Sequence, residues 1–180
     1  IKSLCYQSRL PDELIVVDQS VDDLSVRSVK SLEALMKKFK LIYIHDTYIL
    51  GLVEAKRVAV KNASGQIICF LEDDIVLEVD YIRQIELGFI KQPNMIGCCG
   101  VITNPPKVGF LYKFLFKIFH RGIFEDTRIS TNRKYSGYNN NLRQSNMLSG
   151  GVSAWRREVF DYVEFDVANG FHMFEDIDFS

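Results

Sequence analysis

The sequence predicts an α/β protein whose Rossmann-like, mostly parallel sheet is flanked by helices. Short apolar runs rich in Ile and Val, typical of buried strands, alternate with longer segments whose apolar residues recur at helical spacing. Four strands follow one another with a helix between each pair, which favours parallel strands joined by right-handed crossovers. The chain has 180 residues, which suits a single domain over 1–180 with a sizeable apolar core.

Each element has its own local signal. The predicted strands are 13–18, 41–44, 66–71 and 95–102. The predicted helices between them are 26–39, 52–63 and 79–91, and Gly65 follows the second helix as a stop signal.

Beyond residue 103 the alternation stops at Asn104-Pro105-Pro106. The remainder is predicted as a long polar loop over 126–146, a strand over 147–155 and a short helix over 156–162. The chain has no initiating Met and ends on an acidic cluster without a closing element. We therefore expect a fragment that is incomplete at both ends.

The composition argues against several classes of protein. The net charge is −1, so no broad positive field favours nucleic acid, and no nucleic-acid partner is expected. The four cysteines form no CxxC pair, which argues against a zinc site and fits reduced thiols in a cytoplasmic protein. No run of about 18 apolar residues occurs, and 1–10 lacks the pattern of a signal peptide.

Three adjacent acids, Glu72, Asp73 and Asp74, directly follow the third predicted strand. Such carboxylates repel one another and favour a cation, and their oxygens are natural ligands of magnesium or manganese. Ligands of parallel α/β sheets bind beyond the carboxyl ends of the strands, where Asp18 also falls. For the triplet by itself, a solvated acidic turn or a helix N-cap is the alternative.

Five segments taken in order resemble family 2 glycosyltransferases of the GT-A fold. They are 7–20 (QSRLPDELIVVDQS), 55–57 (AKR), 63–74 (ASGQIICFLEDD), 147–160 (MLSGGVSAWRREVF) and 174–178 (FEDID). Their order and spacing carry the resemblance, which covers most of the chain. The family's first strand, with its nucleotide-contacting turn, has no counterpart here. By resemblance the sheet and the donor pocket are therefore incomplete.

The resemblance implies a divalent metal, manganese or magnesium, at the acidic triplet. It makes Asp74 the preferred ligand and Glu72 a second candidate. The family more often has Asp at the position of Glu72, which leaves that residue's role open. Asp73 falls near the donor sugar or ribose.

The resemblance also implies a nucleotide-sugar donor contacted by Asp18, Gln19 and Lys56. Asp18 falls near the base, and Gln19 stands where the family often has an Asp that reads uracil. Lys56 stands at a basic position where a cation could offset the donor phosphates, as could Arg57. The alternatives are a turn-forming role for Asp18 and a solvated helix face for Lys56.

On the acceptor side, Gly150 and Gly151 would let the backbone approach a sugar closely. Trp155 could stack on a sugar or fill the core. By resemblance Asp176 is the catalytic base, and Glu175 orients the site or contacts the acceptor. The alternative for both acids is an ordinary acidic helix N-terminus.

The resemblance implies an inverting hexosyltransferase that moves a sugar from a nucleotide-sugar to a hydroxyl of a glycan, lipid-linked or protein acceptor. A sugar nucleotidyltransferase and a catalytically silent carbohydrate- or nucleotide-binding module are the alternatives. The aromatic and basic segment 110–124 (FLYKFLFKIFHRGIF) either packs as a helix across the sheet edge or lies on a membrane surface. A cytoplasmic location, at the inner face of a membrane in the second case, is expected.

Overall fold

The computed structural model describes residues 1–31, 38–103, 109–118, 142 and 148–165. The strands are β1 (Glu13–Asp18), β2 (Lys40–His45), β3 (Ile67–Leu71), β4 (Gly97–Cys99) and β5 (Val152–Arg156). The α-helices are α1 (Leu24–Ser31), α2 (Gly51–Asn62), α3 (Tyr81–Lys91) and α4 (Phe110–Ile118). Two 3-10 helices span Lys2–Tyr6 and Arg157–Asp161.

The predicted alternation of strands and helices is confirmed through β4, with shifts at the boundaries. The fourth strand is shorter than the predicted 95–102, and the last strand is shifted toward its carboxyl end relative to 147–155. The predicted short helix at 156–162 is a 3-10 helix. Residues 32–37 of the first predicted helix and the loop 126–141 lie outside the described residues.

β1 and β2 form a parallel pair, as the alternation predicts. Glu13 pairs with Lys40 at one end of the register and Asp18 with His45 at the other. A small apolar cluster of Cys5, Val29 and Phe39 packs against this pair, with Leu10, Leu14, Leu41 and Tyr43 around it. The buried Val29 anchors α1 on this cluster because it is the inward position of an otherwise largely polar helix.

β3, β5 and β4 form a second sheet in that order, with β5 antiparallel to both neighbours. β3 and β4 therefore run in the same direction but are separated by β5. The alternation suggests that β3 and β4 are neighbouring parallel strands. The sequence predicts a strand at 147–155, but it offers no local signal that this strand lies between them. The α/β fold class holds, and the antiparallel strand is an addition to it.

β5 is the most buried strand in the described residues. Val152, Ser153, Ala154 and Trp155 are all buried. The Trp155 indole Nε1 donates a hydrogen bond to Ser153 Oγ at 3.0 Å, so its polar group is satisfied inside the core. The ring lies over Gly97 of β4, where a Cβ atom would come within 2.6 Å of it.

A groove separates the two sheets. It has a volume of about 770 Å³ and is lined by consecutive residues of β1 (13–17) and by 66–71, with α2 and α3 at its sides. Consecutive residues line it because the strand edges, rather than single faces, border the space. Within the described residues β1 pairs only with β2, and β3 only with β5.

Glu13 ties the two strands together across one end of the groove. Its carboxylate accepts hydrogen bonds from the backbone N–H groups of Ser64, at 2.6 Å, and Gly65, at 2.9 Å. Burial alone would raise the pKa of Glu13, but these hydrogen bonds outweigh it and the pKa is lowered. Since Glu13 begins β1 and Gly65 just precedes β3, both strands start at this end. Their carboxyl ends lie together at the other.

Candidate donor and metal site

The acidic triplet extends from the carboxyl end of β3. The backbone N–H of Glu72 donates to the carbonyl of Gly151 at 3.0 Å, which fixes the start of the triplet against the entry to β5. Glu72, Asp73 and Asp74 are all exposed. Glu72 and Asp73 also border the groove between the sheets. The triplet thus lies where the predicted ligand edge of the sheet meets the groove.

Gly151 makes room for the Glu72 side chain. A Cβ atom built on Gly151 would lie 2.5 Å from Glu72 Cδ and 2.6 and 2.7 Å from its two carboxylate oxygens. The sequence suggests that Gly151 admits a sugar, whereas here it admits a carboxylate. The triplet and the predicted acceptor-side glycines therefore meet in space.

The triplet is chemically suited to a divalent cation. Its carboxylates make no hydrogen bond or ion pair with the part of the chain that the structure describes, so their oxygens are available. No three His, Cys, Asp or Glu side chains among those residues form a ready-made metal cage. Magnesium is usually held by one or two carboxylates together with substrate phosphates and water, and exposed acids at a strand end fit that arrangement.

Asp18 is buried at the carboxyl end of β1, with 7% of its surface exposed. Its carboxylate accepts hydrogen bonds from the Ser20 N–H at 3.0 Å, from Ser20 Oγ at 2.6 Å and from the Tyr43 hydroxyl. Burial opposes ionisation of Asp18, but these bonds prevail and its pKa is lowered. Burial and Asp18 raise the pKa of Tyr43 to about 12. These contacts favour a turn-forming role for Asp18, and its contact with the nucleotide base remains a prediction.

Gln19 follows Asp18 and has a defined orientation. Its Nε2 donates to the carbonyls of Ile49, at 2.8 Å, and Gly51, at 3.0 Å. Rotating the amide by 180° would place Oε1 against two carbonyl oxygens, so the orientation follows from the contacts. Oε1 accepts no hydrogen bond from the described residues. Gly51 has φ 77°, a conformation that favours glycine at the start of α2.

Lys56 lies on the inward face of α2 and is 8% exposed. Its Nζ is 5.5 Å from the centre of the Phe70 ring of β3, and the residue borders the groove. The solvated-face alternative is therefore wrong for Lys56. It does describe Arg57, whose Nε donates to Glu54 at 2.8 Å on the outer side of the helix.

Trp155 is 6% exposed within the core. The proposed stacking of its ring on a sugar is therefore wrong, and the core-filling alternative is confirmed. Trp155 of β5 pairs with Gly97 of β4, and the sequence alone does not show this contact. Gly150 lies in the turn before β5. Glu175 and Asp176 lie outside the described residues, so their roles remain predictions.

The fold and this edge of the sheet define a member of a known transferase family. The family model for glycosyl transferase family 2 matches residues 1–163, and the chain belongs to that family. The uncharacterized glycosyltransferase RC0461 of Rickettsia conorii is 34% identical over 125 residues, which is 69% of this chain and 19% of that protein. The chain thus spans about a fifth of the length of this curated relative.

Two solved structures share the fold. The mannosyltransferase PcManGT from Pyrobaculum calidifontis, in complex with GDP-Man and Mn²⁺, has a TM-score of 0.59 at 16% identity, covering 89% of this chain and 40% of that one. The crystal structure of S. aureus TarS has a TM-score of 0.53 at 15% identity. The match covers 89% of this chain and 26% of the TarS chain. These likenesses confirm the GT-A-type fold class.

Proposed function

We propose that this chain forms the donor-binding core of a glycosyltransferase that moves a hexose from a nucleotide-sugar to an acceptor hydroxyl with inversion. The observation that carries the proposal is that acidic and basic groups border one groove. Glu72 lies against Gly151, and Glu72, Asp73 and the buried Lys56 all line the groove. A glycan, a lipid-linked sugar or a protein would serve as acceptor.

Asp74 and Glu72 would hold the divalent cation, with Asp73 near the donor sugar or ribose. Manganese is supported by the Pyrobaculum mannosyltransferase, which was solved with GDP-Man and Mn²⁺. When bound, the metal supplies positive charge that stabilises a departing nucleoside diphosphate. Lys56, buried beside the groove, adds a fixed positive charge on the donor side.

Transfer with inversion is a single displacement at the anomeric carbon. The acceptor oxygen forms a bond to that carbon while the bond to the diphosphate oxygen breaks. The acceptor proton passes to the Asp176 carboxylate, and the electron pair of the broken bond leaves on the nucleoside diphosphate. Glu175 would orient the acceptor. One base and one stabilised leaving group are sufficient, so no covalent sugar–enzyme intermediate is required.

Binding of a nucleoside diphosphate with Mn²⁺ tests the donor site directly. In the complete protein, Asp74→Asn should weaken Mn²⁺-dependent binding of UDP or GDP by about tenfold or more, as measured by calorimetry. Asp161→Asn is the matched control, because Asp161 is also exposed but lies on the C-terminal 3-10 helix. Equal binding by the wild-type protein and Asp74→Asn would refute the assignment.

Turnover separates the enzyme from a silent binding module. Asp176→Asn should abolish sugar transfer while leaving Mn²⁺-dependent donor binding intact, and slow donor hydrolysis by the wild-type protein should require Mn²⁺. A wild-type protein that binds the donor but neither hydrolyses nor transfers it would identify a silent module. Release of pyrophosphate from a sugar phosphate and a nucleoside triphosphate would identify a nucleotidyltransferase instead.

The orientation of Gln19 fixes the group that it offers to a base. With Nε2 held by two backbone carbonyls, Gln19 offers only the acceptor Oε1 to a ligand. Uracil and guanine carry a ring N–H donor at their pairing edge, and cytosine and adenine carry an exocyclic amine donor there, so Oε1 can accept a hydrogen bond from any of the four bases. Such a hydrogen bond contributes about 0.5–1.5 kcal/mol. Gln19 would therefore add affinity for a nucleotide base without selecting one.

Calorimetry with nucleoside diphosphates tests this contact. Gln19→Ala should weaken Mn²⁺-dependent binding of UDP or GDP by about two- to tenfold, because the acceptor Oε1 is lost. Gln84→Ala, an exposed glutamine on α3, should leave the affinity unchanged. Equal binding by the wild-type protein and Gln19→Ala would refute the base contact alone, whereas no binding of any nucleoside diphosphate would refute the donor site.

A further inference from the structure

Helix α4 presents an apolar surface that the proposed donor site does not use. Five residues of this helix are exposed, from 84% for Phe110 down to 37% for Ile118, with Leu111, Phe114 and Leu115 between. At 3.6 residues per turn, these five positions cover an arc of about 140° along one side of the helix. The Phe110 and Phe114 rings stack with their centres 6.5 Å apart. We call these five residues the α4 apolar face.

The exposure of these five residues shows that this side of the helix is not packed against the sheet. Packing of the helix across the sheet edge by another side stays a prediction. Contiguous exposed apolar surface of this kind marks an interaction site. It is distinct from single exposed residues such as Val76, which is 87% exposed in the loop between β3 and α3.

The charges around the α4 apolar face indicate its partner. The stretch 103–124 contains Lys107, Lys113, Lys117 and Arg121 and no Asp or Glu. An exposed apolar helix surface, in a stretch of sequence that carries Lys and Arg but no acid, is typical of a segment that binds the headgroup region of an anionic bilayer.

The dimensions of the helix favour a position on the membrane surface. α4 has nine residues. At 1.5 Å per residue it is about 14 Å long, less than half of the roughly 30 Å hydrocarbon core. No helix in the described parts of the chain is long and apolar enough to cross a bilayer. A helix of this length can insert its exposed apolar side chains while it lies along the surface.

We infer that the α4 apolar face docks the protein on an anionic lipid surface, with Phe110, Leu111 and Phe114 inserted. This inference rests on the exposure and charge of α4 and is independent of the proposed donor site.

Vesicle co-sedimentation of the complete protein tests this docking. The protein should bind vesicles containing about 30% phosphatidylglycerol more tightly than pure phosphatidylcholine vesicles, and higher salt should weaken that binding. The double substitution L111S/F114S should weaken it by about tenfold or more. Val76→Ser is the matched control, since it removes an exposed apolar side chain elsewhere and should change nothing.

Three results would overturn the inference. The first is an absence of binding to anionic vesicles, and the second is binding that L111S/F114S leaves unchanged. The third is a self-associated wild-type protein that the double substitution converts to a monomer without any vesicle binding, which would identify a second copy as the partner. Because the substituted side chains are exposed, unchanged circular dichroism should accompany each variant, so a loss of binding reports on the surface.

Discussion

The parallel β1–β2 sheet and the antiparallel β3–β5–β4 sheet hold their residues in different ways. In β1 only the polar Asp18 is fully buried, and it is held by hydrogen bonds from Ser20 and Tyr43. In β5 four consecutive residues are buried, and Trp155 fills the space over Gly97. The antiparallel sheet thus supplies dense packing, whereas the parallel pair supplies an oriented polar edge. Both sheets contribute to the candidate site, because the Glu72 side chain packs against Gly151 just before β5 and Gln19 directly follows β1.

The largest effect on stability should come from the centre of the antiparallel sheet. Trp155→Ala removes a buried ring that contacts β4 and should lower the free energy of unfolding by about 3–5 kcal/mol. Urea denaturation followed by circular dichroism measures this loss. Trp155→Phe should cost less, since a ring remains. A loss below about 1 kcal/mol for the alanine variant would contradict the dense packing assigned to this sheet.

A smaller loss should follow from crowding the same ring. Gly97→Ala would place a Cβ atom 2.6 Å from the Trp155 ring, and overpacking of this kind costs about 1–3 kcal/mol. Gly109→Ala is the matched control, because no atom lies within 4 Å of the added methyl group. Gly109→Ala should change the free energy of unfolding, measured by thermal denaturation, by no more than about 0.5 kcal/mol. Equal effects of the two substitutions would mean that the ring moves aside freely.

The parallel pair should respond to pH through Asp18. Its folded-state pKa is lowered, so its stabilising contribution is present above the unfolded pKa of about 3.9 and is lost as the pH falls below it. Asp18→Asn should cost about 1–3 kcal/mol at pH 7 and flatten the decline in stability between pH 5 and pH 2. Denaturation at several pH values measures both. An unchanged pH profile would show that the Ser20 and Tyr43 contacts do not favour the ionised carboxylate.

The smallest effect should come from the surface of α1. Arg27 contacts Asp23 at 2.6 Å, but both side chains are more than 60% exposed. Exposed pairs of this kind contribute about 0.2–1 kcal/mol, so Arg27→Ala should lie at the lower end of the series. Chemical denaturation of the variant at low and high salt measures this, and salt should narrow the difference. A loss as large as that of Asp18→Asn would remove the contrast between surface and buried polar contacts.

Local patterns in the sequence predict most of the first half of the fold. Apolar runs and helical spacing place β1, α2, β3 and α3 because each element buries its residues according to its own periodicity. The position of β5 depends on pairing between residues more than 80 apart, such as Ile68 and Trp155, and no local pattern encodes it.

In the candidate site, too, local features can be predicted from the sequence and contacts between distant segments cannot. The acidic triplet is visible in the sequence as a feature of one strand end. The packing of Glu72 against Gly151 and the orientation of Gln19 depend on contacts between distant segments. For the packing of Glu72, the only local signal is a glycine immediately before an apolar strand. For the second, nothing in the sequence distinguishes a glutamine held by two carbonyls from a freely rotating one.

The groove between the two sheets has a practical consequence for handling the protein. Among the described strands, β1 and β3 each pair on one edge only, and the other edge borders the groove beside Ile and Val side chains. Open edges of this kind recruit extended peptides from other molecules and promote aggregation. We therefore expect this chain to aggregate increasingly as its concentration rises. A lysine introduced at an edge position of β3 should suppress that loss more than the same substitution on the outer surface of α1.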